Sequence, residues 1–217
     1  MLPIGGTNVP DVQLFYPAGG LQPKEQWTSF FAFPHAVDPA TCAKIVELGR
    51  RYEVENASVK ADGPPPDAAE QNRRSFRDCR IRWIPCDGGT VQLFQAISEM
   101  VTVANNQHWQ VDITGFVERL QFTEYDRPGT NYHWHSDTGG GFASLRKLSF
   151  SLQLSPPDSY EGGDLEFTQP VDDNTRKAFR ELGTAIIFPS YVTHRVTPIT
   201  KGSRISLVGW VSGPPYR

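Results

Sequence analysis

His135 and Asp137 stand two residues apart in the stretch Tyr132-His133-Trp134-His135-Ser136-Asp137. On an extended strand alternate side chains share a face, so this imidazole and this carboxylate would project together. His194 lies far along the chain, in an apolar, β-prone run over residues 188–196. Two imidazoles and one carboxylate can take one face of a metal ion and leave the other open, the donor set of non-haem ferrous centres; zinc accepts the same donors. Arg204 follows ten residues after His194 (204 − 194). A guanidinium there can hold a carboxylate through paired charge-assisted hydrogen bonds, and Ser206 shares its strand face.

The order of these residues adds a further signal. Tyr125-x3-Gly129-x2-Tyr132-x2-His135-x-Asp137 is followed by Glu161-Gly162-Gly163-Asp164-Leu165, then His194-Arg195-Val196-x-Pro198, then Arg204-x-Ser206. Over roughly residues 110–212 the pattern resembles the prolyl-4-hydroxylase-like (PKHD-type) branch of the Fe(II)- and 2-oxoglutarate-dependent dioxygenases. The resemblance implies an α+β, mainly β fold: a double-stranded β-helix (a jelly-roll, cupin-like barrel) backed by N-terminal helices. It implies Fe(II) on His135, Asp137 and His194, with 2-oxoglutarate as cosubstrate and molecular oxygen as oxidant. Arg204 and Ser206 would grip the far carboxylate of the cosubstrate, and Tyr125 would reach it. Gln153 stands where many relatives carry a tyrosine for the same carboxylate. Tyr132 and Trp210 are inward-facing aromatic candidates, for the substrate pocket or for ordinary packing.

Composition narrows the class. A chain of 217 residues with 38% apolar and 12% aromatic residues can bury a full core. We expect one domain over 1–217, with strands and supporting helices over 1–110 and a catalytic barrel over 111–212. The net charge of −3 gives no basic excess for nucleic acid. No apolar run approaches the ~18 residues of a membrane span, and the N-terminus lacks a signal-peptide pattern. The three cysteines, Cys42, Cys79 and Cys86, form neither a CxxC pair nor a disulfide framework, which suits a reducing cytoplasm.

The elements that must position the site read as follows. Residues 1–26 form a Gly- and Pro-rich arm. Residues 27–33 are an aromatic strand. Asp38-Pro39 caps a helix running to about Tyr52. Residues 53–60 are a strand, and 61–72, with three consecutive prolines, are a loop and candidate lid. Residues 73–85 carry five arginines. Their alternation with Cys79, Ile81 and Trp83 predicts a half-buried strand rather than a nucleic-acid reader, and Arg74 resembles a position at the mouth of the site. A helix spans 90–106 and a strand region 111–123. Residues 145–154 form a central strand, 162–168 a short one and 170–176 a polar loop. Residues 177–182 are taken as strand. Strands over 184–189, 192–197 and 204–211 complete the barrel. His35, His108, His133 and Arg195 are expected in structural or surface roles.

The expected activity is hydroxylation of an unactivated C–H bond in a small-molecule, amino-acid or peptidyl substrate, with succinate and CO2 as coproducts. Asp137 disfavours halogenation, because halogenating relatives carry a small residue there. Trp210 stands six after Arg204, where nucleic-acid demethylases of the superfamily resemble one another in carrying arginine. Desaturation, cyclisation, or a barrel that binds a metal or carboxylate without turnover remain as alternatives.

Overall fold

The computed structural model describes residues 28–58 and 77–215. The expected arm over 1–26, the candidate lid over 61–72 and Arg74 lie outside the described residues. The first strand is short, β1 (Phe31–Phe33). Helix α1 (Pro39–Arg50) starts where Asp38 accepts the Thr41 amide and buries Cys42, Ile45 and Gly49. At Gly49 the helix lies so close to Phe122 that an added Cβ would come within 2.3 Å of its ring. Only glycine permits that approach.

Strands β2 (Glu55–Ser58) and β3 (Arg77–Ile84) pair antiparallel. Helix α2 (Val91–Ala104) buries Phe94, Ile97, Val101 and Ala104, the spacing of one helical face. The coil does not end at Asn105 and Asn106 as expected. It widens into a π-helical turn over Asn105–Trp109 and stops at Gln110, which takes the left-handed conformation (φ 52°). The Asn105 side chain accepts the Val111 amide and donates to the Val111 carbonyl, sealing the turn.

The strand expected over 111–123 begins only at Leu120. Upstream, the sheet contact is a single bridge from Gly115 to Ser212. Glu118 is turned to meet Arg146. Next come β4 (Leu120–Tyr125), β5 (Asn131–His135), β6 (Arg146–Gln153), β7 (Tyr160–Gly162) and β8 (Leu165–Phe167). The strand taken over 177–182 is corrected: residues 173–180 form helix α3 (Asp173–Arg180). Asp172 caps it on the Thr175 amide, Asp173 sits in its first turn and Lys177 and Arg180 in its last, which suits the helix dipole. Phe179 is its buried anchor. The chain ends in β9 (Ala185–Pro189), β10 (His194–Val196), β11 (Ile199–Gly202) and β12 (Arg204–Ser212).

Ten strands form one antiparallel sheet in the order β1-β9-β6-β12-β4-β3-β5-β10-β8, with β2 beside β3; β7 and β11 pair separately. Its two faces carry two cores. On one face Leu120, Phe122, Phe150 and Leu207 meet Ile45 of α1 and Phe94 and Ile97 of α2, so the helices back the sheet. On the other, Tyr125, Tyr160, Ile186, Phe188 and Val196 pack together. Side chains from β4 and β12 and from β5 and β10 line one cavity, so the sheet curls round it. Each fully buried Phe or Leu contributes about 1.5–3 kcal/mol to holding that curl. Among the described residues no helix is long and apolar enough to cross a membrane.

Candidate metal centre

Strand pairing brings the distant histidine to the first pair. β10 runs antiparallel to β5 with His194 directly opposite His135. Asp137 lies just past the end of β5, where its amide donates to the Ser190 carbonyl (2.9 Å). His135 Nε2 is 3.6 Å from one Asp137 oxygen, and His194 Nε2 is 3.7 Å from the other. One donor atom from each of the three residues lies within 4.8 Å of the others.

The hydrogen bonds behind these donors set their state. His135 Nδ1 lies 2.7 Å from the His133 carbonyl and His194 Nδ1 3.0 Å from the Val192 carbonyl. A carbonyl only accepts, so each neutral ring carries its proton on Nδ1 and keeps the Nε2 lone pair for a metal. Burial holds His194 below the ordinary imidazole range, despite the opposing pull of Asp137. Burial pushes the Asp137 carboxyl up, but His194, His135 and a hydrogen bond from Ser149 (2.6 Å) outweigh it and hold it well below the usual carboxylate range. A carboxylate and neutral imidazoles are the forms that bind a metal. Ser190 Oγ lies 3.0 Å from Ser149 Oγ, completing the support.

The cavity these groups face has a volume of about 170 Å³. Arg204 lines it from the first residue of β12 and is buried, 3% exposed. Its Nη1 lies 3.5 Å from Ser206 Oγ and its Cζ 5.7 Å from the Tyr125 ring. Register explains the grouping: Arg204 is opposite Tyr125 across the β12–β4 ladder. Gly163 (φ 66°) lets the arginine stem pass, since a Cβ there would come within 3.2 Å of Arg204 Cδ. Among the described residues no carboxylate pairs with Arg204.

Residues 120–212 match the family model described as the 2OG-Fe(II) oxygenase superfamily. The match takes in rather less than half of the chain and marks what that segment is similar to. A PKHD-type hydroxylase of Hyphomonas neptunium is 45% identical over 87 residues, a match covering 38% of each chain. The chain therefore spans well under two thirds of the length of the curated relative it matches. Two solved structures share the fold. A prolyl-4-hydroxylase from Pseudomonas putida superposes with a TM-score of 0.62 at 22% identity, covering 86% of this chain and 93% of its own. A prolyl hydroxylase from Trichoplax adhaerens, solved with a peptide fragment of the hypoxia inducible factor oxygen degradation domain, gives 0.62 at 17% identity, covering 85% and 84%.

Ferrous iron and 2-oxoglutarate are the groups this similarity implies, and the geometry of the cavity bears on both. Three metal donors converge with both Nε2 atoms turned toward Asp137, and the same cavity is lined by buried Arg204, which no carboxylate of the described residues meets. A buried unpaired cation is costly, so a carboxylate ligand suits it. Both groups fit.

The other expected residues are distributed as follows. Tyr125, Tyr132, Ser206 and Trp210 line the cavity. Gln153 is not among its lining residues; its Nε2 donates to the Tyr160 hydroxyl (2.9 Å), which is itself hydrogen-bonded to Arg204. Gln153 thus supports Arg204 through Tyr160. His133 is exposed, and Arg195 bonds Glu166 and lies over Trp134. His35 occupies an exposed turn, and His108 packs on Phe31. Reading of the sequence missed Ser149, Tyr160 and Arg146. Ser149 could have been found, since it alternates with Ser151 and Gln153 on one strand face. Arg146 donates to both Glu118 oxygens and to the Asp137 carbonyl and lies 3.7 Å over the Trp210 ring.

Proposed function

We propose that the protein is a 2-oxoglutarate-dependent dioxygenase that hydroxylates an unactivated C–H bond of a small-molecule, amino-acid or peptidyl substrate. The observation that carries this reading is the convergence of His135, Asp137 and His194 on the cavity that buried Arg204 also lines. His135, Asp137 and His194 would hold ferrous iron, and Arg204 with Ser206 the far carboxylate of 2-oxoglutarate. When bound, these groups supply the oxidant: 2-oxoglutarate and dioxygen become succinate and CO2, with one oxygen atom entering succinate and the other the substrate C–H bond.

The protein's own residues orient and shield. Ser149 and the Ser190 carbonyl fix the Asp137 carboxylate and its backbone. The His133 and Val192 carbonyls lie beside the two Nδ1 atoms, which leaves each Nε2 as the nitrogen turned toward the metal position. Tyr125 is buried, and its hydroxyl is held well above the ordinary phenol range, first by burial, so it stays a neutral hydrogen-bond donor beside Arg204. Phe188 and Val196 close the cavity wall with apolar groups and exclude water. The three free cysteines accord with a reducing compartment such as the cytoplasm.

The test is succinate formation from 2-oxoglutarate, iron and oxygen by the full chain. Succinate that requires all three, and that is lost in His135→Ala, supports the reading. A protein that binds metal yet never consumes 2-oxoglutarate is the non-catalytic barrel instead.

A further inference from the structure

We propose that Arg77 binds a carboxylate of the molecule that is oxidised, so that the substrate is a free acid, such as an amino acid, and not an internal residue of a polypeptide. This deepens the function proposed above and rests on it.

Three guanidiniums line the cavity: Arg77, Arg146 and Arg204. Arg146 is neutralised by both oxygens of Glu118. Arg204 is accounted for by 2-oxoglutarate. Arg77 meets no carboxylate among the described residues. Its Nε contacts Cys79 Sγ at 3.2 Å, and its Cζ lies 4.6 Å from the centre of the Tyr132 ring. The Cys79 thiol is held up by burial against the pull of Arg77, so it stays protonated and brings no negative charge. Charge balance gives the same answer. The two positive charges of ferrous iron, Asp137 and Arg204 are matched by the 2-oxoglutarate dianion, and the charge of Arg77 is left over. A desolvated cation left over in this way is costly unless an anion joins it.

Position separates this anion from the cosubstrate. Arg204 stands opposite Tyr125 on the β12–β4 ladder, whereas Arg77 stands opposite Tyr132 on the β3–β5 ladder. The Tyr132 ring stacks on His135, with centroids 3.4 Å apart. A carboxylate on Arg77 therefore belongs to a ligand lying on Tyr132, beside a metal-binding imidazole. Trp210 lines the same cavity, and its buried indole Nε1 has no acceptor among the described residues, a second donor awaiting a polar ligand.

The experiment uses the full chain with iron, 2-oxoglutarate and oxygen. The common L-amino acids are compared with their primary amides as stimulants of succinate formation. We expect at least one acid to stimulate, its amide to do so about tenfold less, and Arg77→Gln to raise the KM for that acid at least about tenfold, as loss of a charge-assisted pair requires. The KM for 2-oxoglutarate should not follow, and Arg77→Lys should recover part of the effect. Amides that work as well as acids overturn the proposal. So does an Arg77→Gln variant whose defect lies in 2-oxoglutarate, which would make Arg77 a second cosubstrate anchor. If the wild type makes no succinate at all, the oxygenase reading fails, and binding still decides the present one. Trp83 and Trp210 line the cavity, so tryptophan fluorescence of zinc-loaded protein reports occupancy. Acids that saturate the wild type but not Arg77→Gln support the carboxylate site. Equal binding of acids and amides, or none by any acid, removes it.

Discussion

Arginines on the outer and inner faces of the same strands live under opposite rules. Outside, Arg50, Arg80 and Arg82 gather on Glu124, and Arg80 also meets Asp126. Each of these three guanidiniums touches a carboxylate of the chain, Glu124 and Asp126 being shared among them, so the cluster forms as the chain folds. Inside, Arg77 and Arg204 meet no carboxylate among the described residues. The outer charges join α1 to the β3–β4 ladder; of the cavity arginines Arg146 is paired with Glu118, and Arg77 and Arg204 are the two we propose to take ligands. A guanidinium alone therefore says little; which strand face it takes, and whether an acid shares that face, separates a strut from a binding group.

The largest effect tests the inner region at its metal end. His194→Ala should lower succinate formation at least about a thousandfold and abolish stoichiometric metal uptake, because the remaining pair cannot hold the ion on one face. Circular dichroism should show the fold retained. Normal metal content in this variant would move the site elsewhere. Next, Arg204→Gln should raise the 2-oxoglutarate KM about a hundredfold, from loss of a buried charge-assisted pair. Its urea midpoint should hold or rise, since a buried unpaired cation is removed. A clear loss of stability would mean that Arg204 is a strut like the outer arginines.

Glu124→Gln should do the reverse. We expect a loss of about 2 kcal/mol, below the 3–5 of a fully buried pair because Arg50 and Arg80 keep water, with activity per folded molecule preserved. The effect carries a pH signature. Burial pushes the Glu124 carboxyl up, but Arg82 and Arg50 outweigh it and hold it below its ordinary value. The stability it contributes is therefore full above the ordinary glutamate range and is lost as pH falls through the depressed folded value. Urea midpoints across acid pH should fall less steeply in Glu124→Gln than in the wild type; parallel curves would deny the pairing. The smallest effect belongs to Ser149→Ala, which should weaken metal affinity about tenfold through its bond to Asp137, measured by chelator competition.

His135 and Asp137 drew attention because they stand two apart at the end of one short strand, and His194 because it opens another, His194–Val196, after an apolar run. Arg204 was singled out through the resemblance, ten residues after His194, and the fold buries it in the cavity that His194 also lines. The alternation of β3 sets Arg77 on the face of Cys79, Ile81 and Trp83, but that this face lines the cavity depends on pairing the sequence does not print. The α3 helix was missed for a related reason: Phe179 is its one buried residue, so apolar periodicity is silent there and the cap at Asp172 is the informative residue. Gln153 occupied the expected strand face, but Tyr160, brought in by the β7–β11 pair, stands between it and Arg204. Contacts made across the barrel in this way leave no local trace.

The most direct test of a metal and a 2-oxo acid meeting in one cavity is optical. Anaerobic addition of ferrous iron and then 2-oxoglutarate should produce the weak visible absorption of a chelated 2-oxo acid. The account predicts this band in the wild type, a need for far more 2-oxoglutarate in Arg204→Gln, and no band in His194→Ala. A wild type without the band, or a His194→Ala variant that keeps it unchanged, would contradict the account.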